Sequence, residues 1–233
     1  MTGEERLAEL SENLDAVRRR IASACAAADR DCAEVTLLAV SKTWPASDVL
    51  AMRSLGVRDF GESYDQEARA KAGALASTGT AIRWHFVGRL QRNKCASIVR
   101  YADVVHAVDR IDVVAALGTA AARAGRVIDV LLQVSLDGDP NRGGAAAQVV
   151  PDLAAAVATA KGLSLRGLMA VAPLGADPAT AFAALPAVAA ALRAGHPGAV
   201  VVSAGMTGDL EAAISAGSTC VRVGTALFGR REH

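Results

Sequence analysis

The amino-acid sequence predicts an α/β fold, a single TIM-type (β/α)8 barrel with an additional N-terminal helix. Short β-branched runs alternate with longer Ala-, Leu- and charge-rich stretches of helical period, and eight such runs can be counted. No Pro/Ser/Gly-rich or single-charge segment divides the chain, so residues 1–233 are expected to form one domain. Alternation forces parallel strands, because each helix must carry the chain back before the next strand starts. A doubly wound open sheet is the competing arrangement. Its glycine fingerprint is missing, since Val40 is followed by Ser41-Lys42-Thr43-Trp44-Pro45.

Leu7, Leu10, Leu14, Val17, Ile21 and Ala24 recur at three- and four-residue spacing, which predicts an amphipathic helix ahead of the first strand. Strands are then expected at 35–40, 57–60, 82–87, 103–108, 127–134, 165–171, 199–203 and 219–223. The interleaved helices are expected at 46–56, 63–77, 90–101, 109–124, 144–161, 176–194 and 208–216.

Charge balance excludes one class of partner. With 25 Lys and Arg against 24 Asp and Glu, the chain has no basic excess to neutralise a polyphosphate backbone, so no nucleic acid is expected. Cys25, Cys32, Cys95 and Cys220 form no CxxC pair and have no histidine at ligand spacing, so no metal is implied. Residues 1–20 mix charged and apolar side chains, unlike a signal peptide, and no apolar run reaches the ~20 residues that cross a bilayer. A cytoplasmic protein without a membrane partner is expected. An aromatic content of 3% offers no obvious apolar interface, so a monomer is expected.

Functional groups of such barrels lie just past the C-terminal ends of the strands. Those positions here include Ser41-Lys42-Thr43, Gly61 to Tyr64, Gly88 to Gln91, Asp137 to Gly143, Ser203 to Gly208 and Arg222 to Thr225. The loops after strands 7 and 8 commonly hold phosphate in this fold. Gly205, Gly208 and Gly224 would let backbone N–H groups approach an anion, and Ser203, Thr207 and Thr225 bring hydroxyls. The competing reading is that these glycines only make tight turns. Lys42, ending an apolar strand, is expected to be partly desolvated, which favours the neutral amine that attacks an aldehyde. A lysine and a phosphate cradle at one mouth describe a ligand with an aldehyde at one end and a phosphate at the other. Pyridoxal 5'-phosphate (PLP) fits that description.

The segments LLAVSKTWP, DFGESYDQE, WHFVGRLQRNK, LLQVSLDGDPNRGG, LRGLMAV and SAGMTGDLEAAISAGSTCVRVGTALFGRR together resemble the pyridoxal phosphate homeostasis protein family over nearly the whole chain and in the family's order. The resemblance implies a barrel akin to the N-terminal domain of alanine racemase, with PLP held as a Schiff base on Lys42. By matching positions, Ser203, Gly205 or Met206 and the Gly224-Thr225 turn would hold the phosphate, and Arg222 would face the pyridine nitrogen. Ser63 departs from the asparagine usual in the family, and Arg89 and Arg92 stand where the family often has Pro and Ser. The implied role is to buffer PLP, and related B6 vitamers, and to supply apo PLP-dependent enzymes.

Arginine at the ring nitrogen argues against a complete enzyme. A permanently protonated guanidinium leaves the ring unprotonated and a weak electron sink. A racemase also needs acid/base groups on both faces of the substrate carbon. The tyrosines on offer are Tyr64, near the mouth, and Tyr101, at a predicted helix end where packing is the commoner role. Weak amino-acid racemisation is the alternative reading. His85 and His106, in WHFVG and VVHAV, are read as packed histidines, and Asp137 to Arg142 as a solvated loop in which Arg142 could meet an anion.

Overall fold

The computed structural model describes residues 2–139 and 143–230. Eight parallel strands close into a barrel in sequential order, β8 pairing back onto β1. They are β1 Thr36–Val40, β2 Asp59–Glu62, β3 Arg83–Phe86, β4 Val104–Val108, β5 Ile128–Val134, β6 Leu163–Ala170, β7 Val201–Ser203 and β8 Cys220–Val223. Around them lie α1 Gly3–Ala27, α2 Ala46–Ser54, α3 Asp65–Ala76, α4 Cys95–Ile98, α5 Ile111–Arg123, α6 Val150–Thr159, α7 Pro178–Phe182, α8 Leu185–Gly195, α9 Leu210–Ser215 and α10 Thr225–Phe228. The predicted barrel and its leading helix are therefore present.

The leading helix begins at a capping box in which the Thr2 hydroxyl accepts from Glu5 N–H and the Glu5 carboxylate accepts from Thr2 N–H. Leu10, Leu14, Val17, Ile21 and Ala24 bury one stripe of α1, whereas Leu7 is exposed and falls outside it. That stripe covers α9, α10 and α2. Polar links fasten the same surface. Arg6 bonds Asp48 and the carbonyl of Phe228, stacks on Trp44 at 4.7 Å, and Trp44 stacks on Phe228. Arg30 donates to the carbonyls of Ile214 and Ser218.

Several boundaries differ from expectation, each for a local reason. Strand β2 starts at Asp59 because Val57 belongs to the close of α2. Gly56 has φ +91° and Val57 N–H reaches back to the carbonyl of Met52, a glycine-terminated helix end. The helix expected over 90–101 shrinks to a 3-10 turn, Arg92–Lys94, and the single turn α4, and Arg126 holds the carbonyl of Val99 at 2.6 Å beyond it. Helix α6 starts only at Val150, because Ala145 still pairs with β5 through Gln133 and Ser135. The apolar stretch Pro178–Gly195, of mean hydropathy 1.2 over 18 residues, is divided into α7 and α8, with Pro186 in the first turn of α8. Helix α10 was not anticipated, since four residues are too few to show a period.

Because α1 closes the seam between the first and last barrel elements, its packing should control the stability of the whole fold. Leu14, 1% exposed, is the test position: Leu14→Ala is expected to cost about 2–5 kcal/mol in urea denaturation.

Candidate functional site

Strand β1 delivers Lys42 to the C-terminal mouth on a tight turn. Ser41 is fully buried, and Thr43 has φ +73°, a left-handed conformation unfavourable for a β-branched residue. The turn is gripped from β2 and α3. The Ser41 hydroxyl donates to Glu62 Oε1 at 2.7 Å, Lys71 Nζ donates to the Ser41 carbonyl at 2.7 Å and to Glu62 Oε1 at 2.8 Å, and Glu67 accepts from both Lys71 and Thr43 N–H. Glu62 is fully buried and Lys71 is 6% exposed. Burial pushes the Glu62 carboxyl above its ordinary value, with Lys71 and Ser41 pulling it back. Lys42 itself is exposed, and its ammonium has no partner among the described residues. The desolvation expected from the barrel wall is therefore absent, because the chain leaves the strand at Ser41 before the lysine is reached.

On the neighbouring strand β8, in register with Leu38 of β1, Arg222 is 5% exposed and points inward. Its Nη1 donates to both the carbonyl and the hydroxyl of Ser203 at 2.7 Å, and its Nη2 to the carbonyl of Ala170 at 2.9 Å. Three bonds use three of the five N–H donors a guanidinium carries. The remaining two have no partner among the described residues. The Ser203 hydroxyl is thus turned into the barrel, towards Arg222 and His106 Nδ1, rather than outward to the mouth.

The β7 and β8 turns carry backbone donors. Gly205 has φ +92°, and a Cβ there would lie 2.6 Å from that of Ala213, so only glycine lets the turn pass this close to α9. The N–H groups of Gly205, Gly224 and Thr225 have no partner among the described residues. Met206 N–H is bonded to Asp209 Oδ1 at 2.5 Å, and the Met206 side chain is exposed. Thr225 opens α10, so the turn after β8 leads into a short extra helix, an arrangement that barrels use around phosphate. From behind, Arg20 of α1 donates to the carbonyl of Thr207 and to both oxygens of Glu211.

Other expected positions fall in different places. Gly88 passes over the backbone of Ser63, where a Cβ would come within 2.3 Å of its carbonyl oxygen. Tyr64 is 57% exposed, Tyr101 is buried as a packing residue, and Arg89 and Arg92 are exposed. Arg142 lies outside the described residues. His85 and His106 are buried, but they sit in a polar chain inside the barrel rather than in an apolar core. The Glu62–Lys71–Glu67 clamp escaped the sequence reading. Its visible signal is the i,i+4 spacing of Glu67 and Lys71 on α3, but nothing local shows that Lys71 is buried under β1.

Residues 12–232 match the alanine racemase N-terminal domain family. The pyridoxal phosphate homeostasis protein of Mycobacterium tuberculosis strain H37Rv is 44% identical over 246 residues, covering 98% of this chain and 95% of that relative. Among solved structures, an unknown protein from Bifidobacterium adolescentis superposes with a TM-score of 0.89 at 30% identity, covering 98% of each chain. PipY of Synechococcus elongatus, solved with PLP bound, superposes with a TM-score of 0.80 at 32% identity, covering 94% of this chain and all of PipY. The chain belongs to the pyridoxal phosphate homeostasis protein family.

The clamp on the Lys42 turn yields a stability prediction. Lys71→Met leaves Glu62 buried without its cation and is expected to cost about 3–5 kcal/mol, whereas the double change Glu62→Gln with Lys71→Met should recover part of that loss. Urea denaturation of the wild type, the single variant and the double variant measures both effects.

Proposed function

We propose that this barrel, as one domain spanning the chain, holds PLP as a Schiff base on Lys42 and serves PLP homeostasis in the cytoplasm as a monomeric carrier. The observation that carries the reading is the meeting of unassigned donors at one mouth. Among the described residues, two N–H groups of Arg222 and the Gly205, Gly224 and Thr225 N–H groups have no partner, on the side of the barrel where β1 presents an exposed lysine. A phosphate at the Gly224-Thr225 turn would meet backbone N–H groups. A pyridine nitrogen beside Arg222 would accept from a fixed guanidinium. The residues therefore fit the group. PipY, solved with PLP bound, supports the same reading.

In this scheme Gly205 and the Gly224-Thr225 turn would supply main-chain donors to the phosphate, with Met206 at its edge. Ser203 would contribute by holding Arg222. When bound, PLP supplies an electrophilic aldehyde carbon, and Lys42 supplies the amine that takes it up with loss of water. Holding the cofactor needs nothing more, and apo PLP-dependent enzymes or B6 vitamers would be its partners. Of the two tyrosines, Tyr101 is buried and Tyr64, just after β2, is exposed, so a complete catalytic apparatus is not proposed.

The test is the absorbance spectrum with added PLP, before and after borohydride, followed by peptide mass mapping. The expected outcome is a visible band lost on reduction and a pyridoxyl mass on Lys42, both absent from Lys42→Ala. A protein that stays colourless and unlabelled refutes the reading. Amino-acid racemisation abolished by either Lys42→Ala or Tyr64→Phe would replace the carrier role with an enzymatic one.

A further inference from the structure

A line of five polar side chains crosses the inside of the barrel. Asp59 Oδ1 lies 2.9 Å from His85 Nε2, His85 Nδ1 lies 2.9 Å from His106 Nε2, and His106 Nδ1 lies 3.1 Å from the Ser203 hydroxyl, which Arg222 in turn contacts at 2.7 Å. His85 is 5% and His106 1% exposed, and their rings meet edge-on at 5.1 Å. Asp59, His85 and His106 border a cavity of about 380 Å³ at the N-terminal end of the barrel, lined also by Arg83, Asp129 and Arg166. The Arg222 end is the site described above.

The direction of every bond in this line follows from its two ends. A guanidinium can only donate, so the Ser203 hydroxyl oxygen accepts from Arg222. At the other end a carboxylate can only accept, so with neutral rings His85 Nδ1 is bare and accepts from His106 Nε2–H, and His106 Nδ1 accepts from the Ser203 hydroxyl. His85 must then carry its own proton on Nε2, where the Asp59 carboxylate accepts it. Burial first, and then the positive charge of neighbouring groups, holds His106 well below its ordinary value, so the ring at the centre is neutral at pH 7. In this state each of the four links has one donor and one acceptor.

We infer that His106 and His85 are positioning residues for the cofactor ring: they anchor the Ser203 hydroxyl, and through it one face of Arg222, leaving the remaining guanidinium donors aimed by the barrel rather than by solvent. This rests on the reading that Arg222 faces the ring of bound PLP. A packing role alone would ask only that the rings fill space. The positioning role asks for an acceptor at the place of His106 Nδ1.

The first measurement needs no mutation. Long-range proton–nitrogen NMR of the intact, histidine-labelled protein at neutral pH should show both rings with an unprotonated Nδ1 and a protonated Nε2. PLP titration then separates positioning from packing. His106→Leu, which leaves the Ser203 hydroxyl without its acceptor, is expected to bind PLP about tenfold more weakly and to move the absorbance band of the bound cofactor. His106→Asn, whose amide oxygen can take the place of Nδ1, should return both towards wild type. Either ring protonated on Nδ1, or His106→Leu with unchanged affinity and spectrum, overturns the inference. If the wild type takes up no PLP, the proposed function fails and the cofactor role of the line falls with it, whereas with PLP bound the NMR and the variants judge the line alone.

Discussion

A guanidinium inside a closed barrel has to find fixed partners, because water cannot follow it there at full strength and leaving its donors unmet is costly. Arg222 pairs with no carboxylate among the described residues. Its neighbour Cys220 does not supply a negative charge either, since burial pushes that thiol up to about 11. The charge is met instead by two carbonyls and a hydroxyl, and the hydroxyl is backed by a relay of two histidines that ends on Asp59. Much of the interior follows from this one group. Polar side chains on β2, β3, β4 and β7 occupy positions where a barrel core is usually filled with branched apolar residues.

Lys42 is handled in the opposite way. The residue proposed to react is left exposed, while the turn that carries it is held from the outer side of the barrel. Ser41, Glu62 and Lys71 form a buried cluster under β1, and Thr43 keeps a left-handed backbone that the cluster helps to enforce. A buried ion pair of this kind adds little net stability compared with an apolar replacement, but it fixes geometry because either partner alone is strongly disfavoured. The clamp therefore fits a role in shaping the turn. In the same spirit, α1 ties down α10 and, through Arg20, the carbonyl of Thr207 in the β7 turn.

The contrast between the proposed carrier and a complete enzyme is chemical. Every group that the proposed scheme directs at the ligand is a donor or a nucleophile: backbone N–H groups, a guanidinium and one lysine. In the proposed scheme these would hold an anion, a ring nitrogen and an aldehyde. Moving a proton on a substrate carbon would call for acid/base groups on both of its faces, and the two histidines are buried inside the barrel.

The sequence by itself determined the barrel, its leading helix and the ring of loops at the C-terminal mouth. Those features depend on hydrophobic period and on which residues follow each strand, both of which are local. It also brought forward Lys42, Arg222 and the glycine turns, because their residue types and order carry a family resemblance. Tertiary structure decided the rest. Whether Lys42 is buried, which way Ser203 turns, and that His85 and His106 bond to each other depend on the barrel closing: β3 and β4 set the histidine rings side by side, and β7 and β8 bring Ser203 to Arg222. Periodicity reports that VVHAV is a buried strand but not what its histidine meets. That partner is chosen by strand register across the barrel, a long-range constraint with no local trace in the chain.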